Sequence, residues 1–280
     1  MDVPEQPVTF AIDNGVARLV LSRPRKRNAL SREMLERLLN AMRSVADDPA
    51  VRMLVLSAEG PVFCAGMDLK EMQDRAARPE AAELWHADAQ AYRDVIAALV
   101  RLSIPALAVV QGPVVAGGVG LVLACDVVLA SDSATFALPE PQRGITAAVV
   151  APLVVYRVGA GQATYLLLSG RTLSAQDALR IGLCHELVEV NELHGRADGL
   201  CRSILTGAPS ALARTKELLL STAGRQLFAD LDAGMRVSAA ARETADAREG
   251  LAAFLEKRQP AWHLAANGIG ICSPSPDVVN

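Results

Sequence analysis

Residues 102–124 contain no charged side chain and read LSIPALAVVQGPVVAGGVGLVLA. A stretch of this length could cross a bilayer, which takes about 20 apolar residues. Two prolines and four glycines interrupt it, however, and irregular backbone in lipid would leave peptide groups without hydrogen-bond partners. We therefore predict a buried strand, a turn and a helix rather than a membrane span.

Strand and helix patterns recur on both sides of this stretch. The Asn14-Gly15 pair predicts a hairpin turn between two strands, and Ser31 predicts the N-cap of an amphipathic helix. The predicted strands cover residues 8–13, 16–22, 51–57, 106–111 and 126–130, and the predicted helices before residue 130 cover 31–48, a segment from about 67, 80–102 and 117–124. This alternation predicts an α/β core with parallel pairing, whose crossover loops lie at one end of the sheet.

The second half of the chain is predicted to be mainly helical. Ser174 begins a capping-box pattern and Gly182 is typical of a helix stop. Pro209 opens a long helical region, interrupted near Gly224 and Gly250. We predict three parts: a core at residues 1–205, a helical region at 206–265 and a flexible tail at 266–280.

The composition argues against several classes of function. Lys and Arg total 28 against 31 Asp and Glu, so the overall field would not attract nucleic acid. The five cysteines are scattered and form no Cys-x-x-Cys pair, which argues against a disulfide framework or a zinc site and predicts a reducing compartment. The acidic start of the chain has no signal-peptide pattern. We therefore expect a cytoplasmic protein without a metal or a resident cofactor.

Three segments combine residue types that are suited to catalysis, at residues 63–72, 111–120 and 136–140. The first two place glycine at a strand-to-helix turn, where backbone can approach a ligand and free N–H groups face negative charge. Two such amides that converge on one oxygen would form an oxyanion hole. In the third segment, burial of Glu140 among apolar residues would raise its pKa towards values suited to proton transfer. Taken singly, each glycine is also consistent with tight packing, and Glu140 with a solvated loop.

Four motifs follow one another in a characteristic order: Ser22–Leu30 (SRPRKRNAL), Ala65–Leu69 (AGMDL), Gly117–Gly118 followed by Ala124–Asp126, and Glu249–Arg258 (EGLAAFLEKR). Together they resemble the enoyl-CoA hydratase/isomerase, or crotonase, superfamily over most of residues 8–262. The resemblance implies a crotonase-like α/β fold, a spiral of β-β-α turns with a C-terminal helical trimerisation region. It also implies a homotrimer or a dimer of trimers, and an acyl-CoA substrate of fatty-acid and lipid metabolism that brings coenzyme A as part of the thioester.

The same resemblance assigns roles to individual residues. The oxyanion hole would consist of the backbone amides of Met67 and Gly117, and the acid–base group would be Glu140. The residues expected to bind coenzyme A or the acyl group are Arg25, Lys26, Arg27, Ala65, Asp68, Leu69, Gly118, Arg143, Phe254 and Lys257. Of these, Phe254 and Lys257 are expected either to reach a neighbouring subunit's coenzyme A or to pack on the helix surface.

One position departs from the two-glutamate pattern of the best-known hydratases. Gly120 stands where the first glutamate is expected, which leaves Glu140 alone. One carboxylate cannot be ionised to activate water and protonated to supply the α-carbon at the same time. The resemblance therefore leaves two reactions open, hydration of a 2-enoyl-CoA and Δ3-Δ2 isomerisation.

Residues 139–152 are also similar to bacterial methylglutaconyl-CoA and isohexenylglutaconyl-CoA hydratases. That similarity would make the substrate a branched glutaconyl thioester. Arg143 would then be a partner of the distal carboxylate, or otherwise a surface side chain.

Other classes of function fit the sequence less well. Leu123 replaces the third glycine of a dinucleotide-binding Gly-x-Gly-x-x-Gly motif. The four histidines lie outside the three segments, which argues against a serine hydrolase. Cys64 has no histidine nearby in the sequence, so we expect a small buried side chain rather than a nucleophile. A protein that binds acyl-CoA without turnover, or that serves in assembly through its helices, stays open.

Overall fold

Strands and helices alternate through the first half of the chain, and helices dominate the second half. The computed structural model describes residues 6–76 and 78–263. The strands are β1 (Val8–Asp13), β2 (Val16–Leu21), β3 (Met53–Ala58), β4 (Ala106–Val110), β5 (Val114–Val115), β6 (Val127–Ser131), β7 (Thr135–Ala137), β8 (Thr172–Ser174) and β9 (Glu186–Val188). The α-helices are α1 (Arg32–Asp47), α2 (Leu69–Ala76), α3 (Ala81–Arg101), α4 (Gly117–Ala124), α5 (Ala151–Ser169), α6 (Ala175–Arg180), α7 (Leu193–Leu205), α8 (Pro209–Ser221), α9 (Leu227–Ala241) and α10 (Ala245–Leu255). Short 3-10 helices cover Pro24–Lys26 and Glu140–Arg143.

The strands form two sheets that the chain visits in turn. The larger sheet has the order β1-β2-β3-β4-β6-β9, and the smaller has the order β5-β7-β8. In the larger sheet only β1 and β2 pair antiparallel; the other neighbours are parallel. After β4 the chain enters the small sheet at β5 and continues into α4. After β6 it enters the small sheet again at β7 and continues through a 3-10 helix into α5. This recurrence of strand, strand and helix confirms the predicted β-β-α spiral.

The apolar stretch that began the sequence analysis folds as β4, β5 and α4, which confirms the predicted strand, turn and helix. All eight residues of α4 are buried, as expected of a helix that is apolar on every side. It packs against α3 and α5, so its N-terminus is held inside the molecule. In the ranges given above, no helix is long and apolar enough to cross a membrane.

Local signals predicted α1 well. The Ser31 hydroxyl accepts a hydrogen bond from the Met34 N–H at 3.2 Å, which satisfies one of the free donors of the first turn. Met34, Leu35 and Leu38 lie on the buried face of the helix. The predicted N-cap and apolar face of this helix are therefore confirmed.

Two predictions for the second half were wrong. The region expected to be helical also contains β8 and β9, strands of three residues each, which are too short to show a period-2 pattern. Gly250 does not interrupt a helix but lies inside α10. A Cβ on Gly250 would overlap the Arg143 carbonyl oxygen, so glycine allows α10 to lie directly on the 3-10 helix that carries Glu140. The boundaries of the three predicted parts stay predictions, and residues 266–280 lie outside the described residues.

Candidate active site

One cavity, of about 750 Å³ counted together with its solvent-open mouth, receives side chains and backbone from all three segments singled out in the sequence. Seven of the residues expected from the motifs line it: Ala65, Met67, Leu69, Gly117, Glu140, Arg143 and Phe254. The fold therefore gathers positions that are up to 189 residues apart in the chain.

The turns that carry Met67 and Gly117 touch each other. Gly66 has φ +86°, and a Cβ built on it would lie 2.9 Å from the Ala116 Cβ and 3.4 Å from the Gly117 nitrogen. Only glycine permits this approach without strain. In the part of the chain that the structure describes, neither the Met67 N–H nor the Gly117 N–H has a protein acceptor. Both amides are thus available to a ligand oxygen at the cavity wall.

The N-terminus of α4 adds to the positive potential at this wall. Gly117 is its first residue, so its N–H is one of the donors that a helix leaves unpaired. The preceding Ala116 has φ 52° and ψ −122°, a conformation that non-glycine residues rarely adopt and that clusters at functional sites. Together with the helix dipole, this geometry favours negative charge on a bound oxygen.

Glu140 is buried, with 6% of its surface exposed. Burial raises the pKa of its carboxyl from 4.5 to about 7, because the charged form loses solvation. Its Oε2 atom has no hydrogen-bond partner among the described residues. The predicted desolvation is confirmed, and the alternative of a solvated loop carboxylate is wrong. A carboxyl with a pKa near neutrality can both accept and release a proton.

The α10 helix covers the segment that carries Glu140. Gly144 has φ +69°, and a Cβ at that position would overlap the backbone of Asp246. Gly250 of α10 contacts Arg143, the residue just before Gly144 in the chain. Two glycines, one from each side, therefore let the two backbones meet, and this contact packs α10 directly against the segment that carries Glu140.

Sequence reasoning missed Tyr92, which fills the space next to Gly120. A Cβ on Gly120 would overlap the Tyr92 hydroxyl oxygen and would lie 3.3 Å from Val150 Cγ2. The Tyr92 hydroxyl donates a hydrogen bond of 2.6 Å to the Gly117 carbonyl oxygen. Burial, above all, raises the pKa of Tyr92 well above its ordinary value, so this hydroxyl stays protonated. The position of the missing glutamate is thus occupied by a neutral hydroxyl from α3.

A second residue that sequence reasoning missed is Arg242, at the end of α9, which also lines the cavity. Arg143 lines it as well, and its guanidinium carbon lies 4.0 Å from the centre of the Phe254 ring, a cation–π distance. Phe254 therefore contributes to the cavity of its own chain, and its expected contact with a neighbouring subunit's coenzyme A stays a prediction.

Several expected binding residues do not line the cavity: Arg25, Lys26, Arg27, Asp68, Gly118 and Lys257. The three basic residues are exposed. Asp68 pairs with Arg23 at 3.3 Å. A Cβ on Gly118 would lie 2.8 Å from the Cβ and from the carbonyl oxygen of Cys64, so Gly118 serves the packing of α4 here.

The competing nucleophiles are not placed for catalysis. Cys64 is fully buried, and burial raises the pKa of its thiol to about 12. The prediction of a buried, unreactive cysteine is confirmed. None of the four histidines is among the residues that line the cavity, which leaves Cys64 without the base that a thiolate mechanism needs.

Comparison with known proteins agrees with this geometry. Residues 11–264 match the family described as enoyl-CoA hydratase/isomerase. The mouse mitochondrial enoyl-CoA hydratase domain-containing protein 3 is 34% identical, over 89% of this chain and 82% of that protein. The enoyl-CoA isomerase/hydratase fer4 of Mycosarcoma maydis is 32% identical, over 92% of this chain and 96% of that protein. The crystal structure of an enoyl-CoA hydratase from Mycobacterium avium is 33% identical and superposes with a TM-score of 0.82, over 92% of this chain and 99% of that one. Sequence, fold and cavity agree that the chain belongs to the enoyl-CoA hydratase/isomerase family and has the crotonase fold.

Proposed function

We propose that the protein is a lyase of the enoyl-CoA hydratase type, which adds water to a 2-enoyl-CoA or removes it in reverse. The observation that carries this proposal is the cavity in which the unpaired amides of Met67 and Gly117 and the buried carboxyl of Glu140 meet. The amides would bind the thioester oxygen and stabilise the enolate that forms when a nucleophile adds to C3.

One carboxyl group can serve both proton transfers if they follow each other. The Glu140 carboxylate accepts a proton from water as the water oxygen bonds to C3, and the electron pair of the double bond moves onto the thioester as an enolate. The protonated Glu140 then returns that proton to C2, so one water molecule is added in total. A pKa near 7 suits both halves of this cycle, because the acid and base forms are then close in free energy.

Isomerisation is the second candidate, and Gly120 favours it. Glu140 is the only acidic residue among the described residues that line the cavity, and one base suffices to remove a proton from C2 of a 3-enoyl thioester and return it to C4. A third possibility is a protein that binds acyl-CoA, or assembles through its helices, without turnover.

Product analysis distinguishes these three possibilities. The protein is incubated with 2-enoyl, 3-enoyl and 3-methylglutaconyl thioesters, and the products are identified by mass and chromatography. Hydration adds the mass of water, whereas isomerisation leaves the mass unchanged. Tight binding without any product across the whole panel would reject both enzymatic proposals.

The role of Glu140 has a direct test. Glu140→Gln keeps the shape of the side chain but removes its ability to exchange a proton, so turnover should fall at least about a hundredfold while coenzyme A still binds. Glu83→Gln, which changes an exposed carboxylate of α3, is the matched control and should retain full turnover. Unchanged turnover in Glu140→Gln would remove Glu140 from the mechanism.

The finer features of the substrate are also proposals. A branched glutaconyl group is supported by the similarity of residues 139–152 and by Arg143 at the cavity. The exposed cations Arg25, Lys26 and Arg27, with Asp68 and Lys257, are proposed to contact coenzyme A outside the cavity. Comparison of coenzyme A affinity between the native protein and a variant with all three cations changed to glutamine tests this placement.

Assembly and compartment complete the proposal. We propose a homotrimer or a dimer of trimers in the cytoplasm. Large apolar side chains exposed on α5, α8 and α9 support association, because surfaces of this kind are commonly covered in assemblies. These side chains are Val155, Tyr165, Leu168, Leu218, Leu219 and Val237. Light scattering that gives the mass of a monomer would reject the trimer, and cell fractionation tests the compartment.

A further inference from the structure

Arg242 is a buried cation at the boundary between two cavities. Only 8% of its surface is exposed, and it follows the last residue of α9. A second cavity, of about 620 Å³ counted together with its solvent-open mouth, adjoins the first. Both Arg143 and Arg242 line both cavities, so these two cations lie where the two chambers meet.

Neither arginine has an acidic partner among the described residues. The one hydrogen bond recorded for the Arg242 side chain is a long one of 3.4 Å to the Trp85 carbonyl oxygen. The buried acid nearby on α3, Asp88, is already paired with Arg75 and lies 3.6 Å from Arg32. Arg242 is therefore a buried charge without a counter-ion of its own.

A buried cation without a counter-ion is costly for a folded protein. Burial, and then the like charge of Arg75, lower the pKa of Arg242 to about 10, so the side chain is still cationic at neutral pH. A buried cation is normally paired, because its lost solvation must be offset by an anion. Since Arg242 faces the cavities, a bound ligand is in a position to supply that anion.

We propose that Arg242, with Arg143 beside it, binds a carboxylate at the distal end of the acyl group, so that the preferred ligands are coenzyme A thioesters of short dicarboxylic acids. This inference rests on the proposed function, which places the thioester at Met67 and Gly117. Arg242 is then the main determinant of acyl specificity. Paired guanidinium groups suit this role, since their planar donors match a carboxylate.

The 3-10 helix places Arg143 on the same face as Glu140. Residues i and i+3 of a 3-10 helix lie on the same face, at a rise of about 2 Å per residue. Glu140 and Arg143 are related in this way, and both line the cavity. Arg143 therefore lies one turn of this helix, about 6 Å along the axis, from the acid–base group, so one acyl group in the cavity can meet both side chains.

A phosphate of coenzyme A is the other anion that could reach a cation of this protein. Phosphate groups keep much of their hydration, and the exposed cations at residues 25–27 are open to solvent. Arg242 is enclosed by apolar neighbours in both cavities, such as Leu69, Met72 and Ile145. The enclosed position fits a carboxylate carried in by an apolar acyl chain better than it fits a phosphate.

Binding of unreactive ligands tests the inference without any need for turnover. Calorimetry compares glutaryl-CoA, its terminal amide of the same length, and free coenzyme A. The native protein should bind glutaryl-CoA at least about 30-fold more tightly than the amide, the lower end of what the loss of one partner costs a buried charge pair. Arg242→Gln should abolish most of that preference and leave the affinity for the amide unchanged. Arg236→Gln, an exposed arginine of the same helix, should keep the full preference.

Each result of these binding measurements supports or overturns the carboxylate subsite at Arg242. Equal binding of glutaryl-CoA and its amide by the native protein overturns the inference, even if Arg242→Gln does not fold. Equal weakening of all three ligands in Arg242→Gln also overturns it, since the anion would then belong to coenzyme A. If Arg242→Gln still prefers glutaryl-CoA to the amide, the carboxylate binds to another group and the inference is overturned. A preference that depends on Arg242, in a protein that gives no product, would support the subsite and reject the proposed hydration.

Discussion

Replacement of Glu140 by glutamine should stabilise the folded protein at alkaline pH and do much less at acidic pH. The native pKa of Glu140 is raised from 4.5 to about 7 by burial. Between these two values the folded state holds a proton that the unfolded state has released. Stability therefore falls as the pH rises through this window, and above pH 7 the folded protein carries the full cost of a buried carboxylate.

The size of the effect follows from the two pKa values. A rise from 4.5 to about 7 corresponds to about 3 kcal/mol, at about 1.4 kcal/mol per pH unit. Because pH 5 lies just above the lower pKa, the cost there is only about 1 kcal/mol, so the difference between pH 5 and pH 8 is about 2 kcal/mol. Glutamine does not titrate, and any cost of its buried amide is the same at both pH values.

Urea unfolding at pH 5 and pH 8, extrapolated linearly to zero denaturant, measures this difference. Glu140→Gln should gain about 2 kcal/mol over the native protein on going from pH 5 to pH 8. The control Glu83→Gln, exposed on α3, should follow the native protein at both pH values. If Glu140→Gln has the same effect at both pH values, the carboxylate is not desolvated and the proposed acid–base role loses its basis.

Three further predictions concern packing around the site. Gly120→Ala should lower the free energy of unfolding by about 1–3 kcal/mol, because its Cβ would overlap the Tyr92 hydroxyl. Tyr92→Phe in the same chain should recover part of that loss in a double-mutant cycle, and additive losses would contradict the contact. Cys64 should resist a thiol reagent at pH 8 until the protein is unfolded, since burial raises its pKa to about 12; rapid labelling of the native protein, followed by peptide mass analysis, would refute this. Ser31→Ala should cost about 1 kcal/mol of stability in chemical denaturation, because it removes the hydrogen bond to the Met34 N–H; an unchanged midpoint would show that the cap is redundant.

The residues missed in the sequence show where local reasoning ends. Tyr92 lies on the buried face of α3 with Trp85 and Ile96, so helical periodicity already indicated a buried hydroxyl that needs a partner. Nothing local indicated that this hydroxyl would meet Gly120, since the contact depends on how α3 packs against α4. No sequence pattern indicated that Arg242 would be buried, because an arginine near the end of a helix is usually exposed.

Capping, turns and apolar periodicity are properties of neighbouring residues. For that reason the sequence alone determined the first hairpin, α1, the strand-turn-helix of residues 102–124 and the three segments that hold the reactive groups. Whether Glu140 is solvated or buried, which side chain fills the space beside Gly120, and whether Arg242 has a counter-ion depend on contacts between distant parts of the chain. Only the tertiary structure decided these points, because burial and charge pairing arise when the sheets and helices pack.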